Sequence, residues 1–525
     1  MSKKLLKSGA IVSSMTLISR VLGLVRDVVV ANLLGAGTGA DVFFFANRIP
    51  NFLRRLFAEG AFAQAFIPVF TQYKQQEDDS ELRALVARVS GTLGLIVTLV
   101  TLVGILASPV VAMIFGTGWF LDWLHDKPGA DKFELASVLL KITFPYLWFI
   151  TFTGMSGAIL NSFNRFAVAA FTPVFLNVAI IAAAIFLSPH MAQPAMALAW
   201  GVFFGGLLQF SFQLPFLWRL GMLRRPRWGW HHAGVTQIRK LMIPALFGVS
   251  VSQLNLLFDT FMASFLVSGS ISWLYYSDRL LEFPLGLFGI AIATVILPSL
   301  SQRHVDQDPK AFRQTMDWAV RMIWLLGLPA MVGMMVLAGP MLRVLFMRGE
   351  FDQSDVSHAA ASLIAYMSGL LFFMLIKVLA PGYYARQDTR TPVRYGIIAM
   401  LSNMLFNLIL VLPFGYVGLA AATAFSAVIN ASLLYWGLAK SNVYRLSRFT
   451  LLFMLRVVVS TAIMAVAMYE VFPHWSTWMV SSWHHSAMML IEAIGLAIVV
   501  YLVSLVALGG RLSHLKSSSG AVSDD

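Results

Sequence analysis

The sequence predicts an all-α polytopic membrane protein of 14 transmembrane helices: two parallel six-helix lobes related by a pseudo-twofold along the membrane normal, then two further helices. Three observations predict it. The 525 residues are 58% hydrophobic and 12% charged, about half the charge of a soluble domain. Apolar runs of about 20 residues recur along the whole chain, each long enough to cross a bilayer. Two polar segments also return at a nearly common offset: Gly39–Pro68 as Gly269–Pro298, and NSFNRFAVAAFTPV (Asn161–Val174) as GYYARQDTRTPV (Gly382–Val393). Six helices per repeat bring both halves into the membrane from the same side, which makes the repeat parallel.

The first span, 9–32, follows a start that resembles a signal peptide. No small-x-small cleavage site closes a short apolar core, and the segment continues through Arg20 and Arg26, so it reads as an uncleaved helix. The second span, 40–70, and its counterpart, 271–300, contain charge and proline; one tilted helix accounts for each, with kinks at Pro50 and Pro284. The remaining spans are plainer: 89–112, 135–160, 168–188 and 194–217, then 238–266, 314–337, 357–384, 392–412 and 416–438. The last two, 449–471 and 486–509, have no counterpart. The domains are therefore a first lobe (1–220), a basic cytoplasmic linker (221–240), a second lobe (241–440), a two-helix appendix (441–516) and a polar, disordered tail (517–525). The linker's Trp228, Trp230, His231 and His232 suit an amphipathic segment at headgroup level, with no carboxylate or cysteine nearby to make a metal site. Met347–Asp355 reads as an external turn.

A net charge of +13 suggests nucleic acid in a soluble protein, but here the positive-inside rule explains it and no nucleic-acid partner is expected. Lysines and arginines gather in alternate connections, among them Arg224, Arg225, Arg227, Arg303, Arg313 and Arg386, whereas the opposite connections hold only Lys127, Lys132, Arg343 and Arg348. Both termini are thus cytoplasmic. With no cysteine, disulfide and thiol chemistry are excluded. No phosphate-binding loop, HExxH helix or aspartate cluster is present, so no enzyme class is indicated and metal ligands are none. Any pumping must draw on an ion gradient, the membrane potential or a partner.

Several basic residues lie inside the spans. Arg321 and Arg456 are close enough to helix ends to snorkel. Arg20, Arg26, Arg48, Arg54, Arg55 and Arg279 are harder to dismiss, since an arginine inside the bilayer costs about 2.5–3.5 kcal/mol even on the lenient scale. Arg48, Asn51, Arg55 and Glu59 form one helical stripe; Arg54 stands off it; Arg279 lies near Asp278 and Glu282. Two readings fit these residues: internal ion pairs between helices, or a solvated cationic cavity. Arginines outnumber the nearby carboxylates, which favours a cavity able to receive a phosphate- or carboxylate-bearing ligand. Asp259, alone in its span, either coordinates a cation or proton or pairs with an arginine.

SSMTLISRVLGLVRDVVVANLLGAGTGADVFFFANRIPNFLRRLFAEGAFAQAFIPVF closely resembles the start of the MurJ family, the lipid II flippases of bacterial peptidoglycan synthesis. The stretch FGVSVSQLNLLFDTFMASFLVSGSISWLYYSDRLLEFPLGLFGIAIATVILPSLSQ and the segment LAPGYYARQDTRTPV resemble its second-half signatures. The resemblance covers essentially the whole chain and implies the fold of the multidrug/oligosaccharidyl-lipid/polysaccharide (MOP) exporter superfamily. It implies a central cationic cavity with essential arginines at Arg20, Arg26, Arg54 and Arg279, an acid at Asp41, and secondary members Asn51, Glu59, Ser272 and Glu282. By the same resemblance the last two helices form a groove for the undecaprenyl tail, and Asp259 is a candidate for a bound sodium ion. The implied mechanism is alternating access in the bacterial inner membrane, with no cofactor beyond dependence on membrane potential or a monovalent ion. The implied partners are lipid II, membrane lipids and cell-wall synthesis and division proteins. The rivals are a flippase for another polysaccharide unit, a drug antiporter, which would centre on carboxylates, and a non-transporting scaffold.

Overall fold

The structure, a computed structural model, describes residues 3–55, 62–76, 78–472, 477–478 and 481–511. Among the described residues the regular structure is helical throughout, with no β-strand. Nine helical stretches there are long and apolar enough to cross a membrane. The helices that carry Arg20, Arg26, Arg54, Asp259 and Arg279 are not among these nine.

The chain packs as two compact units, Met1–Ser272 with Arg348–Phe351, and Trp273–Met347 with Asp352–Asp525. The first contains α1 (Lys3–Leu34), α2 (Thr38–Arg54), α3 (Phe62–Gln76), α4 (Asp79–Leu106), α5 (Ser108–Phe115), α6 (Thr117–Leu124), α7 (Asp131–Thr143), α8 (Pro145–Ser162), α9 (Phe166–Phe171), α10 (Pro173–Ala182), α11 (Pro194–Arg219) and α12 (Ala233–Ala263). Spans expected at 135–160 and 168–188 are each divided at a proline: Pro145 and Pro173 open new helices, where the missing N–H costs nothing. Phe62, Phe66 and Phe70 of α3 pack with Leu82 and Leu85 of α4 and Leu147 of α8 in the unit's core. Gly201, Gly205 and Gly206 of α11 lie where any Cβ would press on α10, the turn after it, or α8, so these glycines allow the close helix approach expected of small residues in membranes.

Packing groups α12 with α3 in this first unit, whereas the repeat counts it as the head of the second half. The linker before it is extended and fastened to α4: Arg227 N donates to Ala87 O at 2.8 Å and Gly229 N to Thr92 Oγ1 at 3.1 Å. Trp228 and Trp230 stack with ring centres 5.9 Å apart, and the Arg239 guanidinium lies 4.0 Å from the Trp230 ring centre. The turn Arg348–Phe351 docks on the end of α1, where Glu350 N donates to Asn32 O at 3.1 Å. Gly35 (φ 60°) and Gly349 (φ 56°) make this approach; a Cβ on either would meet backbone of the other strand of the contact.

The second unit contains α13 (Ser270–Pro284) from Trp273 onward, α14 (Ile290–Val305), α15 (Pro309–Val336), α16 (Ala338–Phe346), α17 (Gln353–Met367), α18 (Leu370–Leu379), α19 (Pro381–Tyr384), α20 (Arg390–Lys440), α21 (Arg448–Val471) and α22 (Trp483–Ala507). A wide π-helical turn, Leu285–Gly289, follows Pro284 where a kink is expected, while α2 runs through Pro50 to Arg54. Gly415 (φ 56°) breaks α20 into two arms, in register with the expected spans 392–412 and 416–438. Helices α21 and α22 pack on each other and on α15, tied by Tyr501 Oη to Leu325 O at 2.7 Å. Their outer faces, including Leu455, Val466, Ile491 and Val503, are exposed and apolar, as a lipid-facing surface requires.

Arg321 does not snorkel. It pairs at 3.0 Å with Asp317, a buried carboxylate that also accepts from Tyr444 Oη (3.0 Å), Ser447 Oγ (2.6 Å) and Thr450 Oγ1 (2.6 Å). The node ties α15 to the first turn of α21. Burial and the neighbouring Asp317 charge push the Tyr444 phenol well above its ordinary pKa. Arg456 reaches the end of α22, donating to Gly509 O at 3.0 Å.

Candidate functional site

On α1, Arg20 is exposed and makes no hydrogen bond or ion pair with a described residue. Arg26, two turns on, is held firmly. Its Nε and Nη2 donate to Asp27 Oδ1 at 3.0 and 2.7 Å, and its Nη1 donates to Asn177 Oδ1 of α10 at 3.0 Å. Asn177 is 5% exposed and itself donates to Ser19 O at 3.1 Å, so one carboxamide links α10 to α1 and aims the guanidinium. Arg26 is therefore a charge-compensated side chain, not a surplus cation.

The α2 stripe is split by the structure. Arg48 Nη1 donates to Thr260 Oγ1 at 3.0 Å and Arg55 Nη1 to Gln253 Oε1 at 3.3 Å, so these two side chains stitch α2 to α12. Asn51 turns its Nδ2 back to Asn47 O at 2.8 Å and offers Oδ1 to Arg54 Nε at 3.1 Å. Arg54 is thus oriented in part by a carboxamide on its own helix. Glu59 lies outside the described residues, and so does the Arg55–Glu59 pairing.

Asp41, at the start of α2, is 2% exposed. Its Oδ2 accepts from Gly269 N at 2.6 Å, and its Oδ1 accepts from Ser272 N at 2.9 Å and Ser272 Oγ at 2.7 Å. These donors belong to the first turn of α13, whose amides point outward unpaired by the helix itself, so Asp41 caps that turn from another element. Gly269 adopts φ 98°, a conformation that favours glycine. Buried Lys132 lies close enough to interact electrostatically with this carboxylate.

In the second unit Arg279 Nη1 pairs with Glu282 Oε2 at 2.9 Å, and its guanidinium carbon lies 5.3 Å from the Tyr275 ring centre. The partial neutralisation read from the sequence is present. Asp259, on α12 beside Thr260, is half-buried and engaged by neighbours. Among the described residues no group of three or more His, Cys, Asp or Glu side chains could hold a metal ion.

Residues 30–488 match the family described as lipid II flippase MurJ. The chain belongs to the MurJ family. A protein of Vibrio cholerae serotype O1, described as a probable lipid II flippase MurJ, is 64% identical over 518 residues and covers 99% of both chains. A lipid II flippase MurJ of Burkholderia cenocepacia is 40% identical over 468 residues, 88% of each chain. Among solved structures, a lipid II flippase MurJ in an inward closed conformation superposes with a TM-score of 0.78 at 28% identity, covering 94% of this chain and 97% of that one. An inward-facing multidrug resistance MATE transporter of the MOP superfamily gives a TM-score of 0.67 at 14% identity over 83% and 98% of the chains, a likeness of fold alone. This MurJ-family chain is a multi-pass membrane protein.

Two participants escape a sequence reading. Asn177 sits alone in the apolar run PVFLNVAII, a pattern as typical of helix contacts as of a site. Thr260 is hidden beside the more conspicuous Asp259. The only local signal for either is a polar residue in a span that does not need one.

Proposed function

We propose that this protein flips lipid II, the undecaprenyl-pyrophosphate-linked peptidoglycan precursor, from the cytoplasmic to the outer leaflet of the bacterial inner membrane. The observation that carries the reading is the full-length likeness to flippases of the MurJ family, 64% identity over 99% of the chain in one relative. The arginine geometry supports it. Arg20 is exposed and pairs with no described carboxylate, Arg54 accepts orientation from Asn51, and Arg26 is pre-oriented by Asp27 and Asn177. Guanidinium forks of this kind suit the pyrophosphate.

In this reading the chain crosses the membrane fourteen times with both termini cytoplasmic, as two six-helix lobes and a final pair of helices that accommodates the polyprenyl tail. Arg20, Arg26, Arg54 and Arg279 draw in the anionic headgroup; Glu59 and Glu282 exchange partners with them as access alternates. Asp41 and Ser272 act as a releasable latch on the first turn of α13. No covalent bond is made or broken, and the drive is the membrane potential or a monovalent ion, with Asp259 the first residue to test for ion dependence. Cell-wall synthesis and division proteins receive the product outside.

The test uses cells depleted of their own lipid II flippase and supplied with this protein or its Arg54→Ala variant, at verified membrane levels. Newly made lipid II reaching the outer face is measured. Restoration by the wild type and not by the variant is expected. Failure of the well-inserted wild type to restore it overturns the cargo assignment; equal restoration by both proteins reduces Arg54 to a structural residue.

A further inference from the structure

Away from these residues, a cavity of about 200 Å³ opens within the second unit, where three turns meet. The last turn of α14 contributes Arg303 and His304, the α14–α15 turn Asp308, the α19–α20 turn Arg386, and the α20–α21 turn Asn442; Arg313 enters from the start of α15. The walls are built. Gln307, Gln387 and Asn442, one in each turn, adopt left-handed backbone at φ 53°, 61° and 56°. Arg313 Nη2 donates to Asn442 O at 2.6 Å and its Nε to Val443 O at 3.3 Å, joining the start of α15 to the α20–α21 turn.

The charges in and around the cavity do not cancel. Asp308 is occupied as the cap of α15, accepting from Ala311 N at 2.9 Å, and Asp306 accepts from Gln302 Nε2 at 2.9 Å. Asp388, near Arg386, accepts from Thr391 N at 3.1 Å; its hydrogen bonding to Thr391 is the main force holding its carboxyl below the usual range. Arg303 and Arg386 form no side-chain hydrogen bond or ion pair with a described residue. Each guanidinium carries five N–H donors in a planar fork. The positive-inside rule accounts for arginines on this side of the membrane. It does not account for three of them converging on one cavity whose walls are held by hydrogen bonds.

We propose that this cavity is an anion site that takes a phosphate group, bridging Arg303 and Arg386 with Arg313 behind them. The space exceeds that of one phosphate, so the group can be free, as inorganic phosphate or part of a phosphorylated solute, or can be the headgroup of an inner-leaflet phospholipid. Either occupant ties the end of α14 to the turn before α20. The proposal is independent of the flipping reading, because none of its residues belongs to the flipping site.

The test uses the full chain in nanodiscs, wild type beside R303Q/R386Q and R303K/R386K, with thermal unfolding as the readout. One arm titrates inorganic phosphate against chloride at constant ionic strength in phosphatidylcholine discs. The other omits phosphate and compares phosphatidylcholine discs with discs containing phosphatidylglycerol. A saturable rise in unfolding temperature is expected for the wild type in at least one arm, and the arm that responds identifies the source. The glutamine pair is expected to weaken the response at least tenfold in concentration. The lysine pair, which keeps charge but loses the fork, is expected to fall between and carries the test where the glutamine pair does not fold. No response of the wild type in either arm, or the same response in wild type and the lysine pair, overturns the proposal.

Discussion

Replacing Asp41 by asparagine changes almost no volume but removes one acceptor from a buried cap. The carboxylate accepts three hydrogen bonds, from Gly269 N on one oxygen and from Ser272 N and Oγ on the other. A carboxamide in its better orientation keeps its oxygen on the Ser272 pair and turns its NH2 toward the Gly269 N–H. One charge-assisted bond, about 1.5–3 kcal/mol, is lost, and a buried donor left facing another costs about 1–3 kcal/mol. Relief from burying a charge offsets part of that sum. A net destabilisation of about 2–4 kcal/mol follows, centred on the first turn of α13. Ser272→Ala removes the hydroxyl donor alone and leaves both amide bonds, so its cost is about 1.5–3 kcal/mol, at or below that of Asp41→Asn. Chemical unfolding in mixed micelles orders the two variants, and outer-leaflet lipid II in flippase-depleted cells reads the functional effect. Unfolding of both variants within about 0.5 kcal/mol of the wild type, or greater damage from Ser272→Ala, refutes the cap's contribution.

Asn177→Leu removes the acceptor that aims Arg26; lipid II affinity is expected to drop about tenfold or more, the loss of one bond to a charged group. Binding measured at equal unfolding temperature checks this, and unchanged binding by the leucine variant refutes it. Asp317→Ala strands Arg321 and undoes the tie between α15 and α21, for an expected loss of about 3–5 kcal/mol; chemical unfolding measures it, with accelerated proteolysis near Ser447 as the local sign. Gly349→Ala places a Cβ against Asn32 at φ 56°, and a cost of at least about 1–2 kcal/mol is expected from the backbone alone. An unfolding midpoint equal to wild type shows that the turn does not need glycine.

The class of this protein and the general location of its spans follow from hydropathy alone, because crossing a bilayer is a demand each segment meets by itself. The irregularity after Pro284, the break between 412 and 416, and the partial neutralisation of Arg279 by Glu282 are likewise local and visible in the order of residues. The glycines of α11 are visible in the sequence, but their choice between close packing and flexibility is made only by the neighbouring helices. What the arginines do is another matter. From spacing alone Arg48 and Arg55 share a stripe with Asn51, yet both reach α12, while Asn51 serves Arg54. Arg321 looks like a snorkelling side chain until Asp317 and Thr450 are seen around it. Arg26 owes its aim to a residue 151 positions away, and Asp41 closes on an amide 228 positions away. A hydrogen bond needs both partners within about 3 Å, and in a multi-span protein the partner is chosen by which helices pack side by side. Lipid solvation determines where the helices are, one segment at a time; only their packing determines which charge is compensated and which remains available to a ligand.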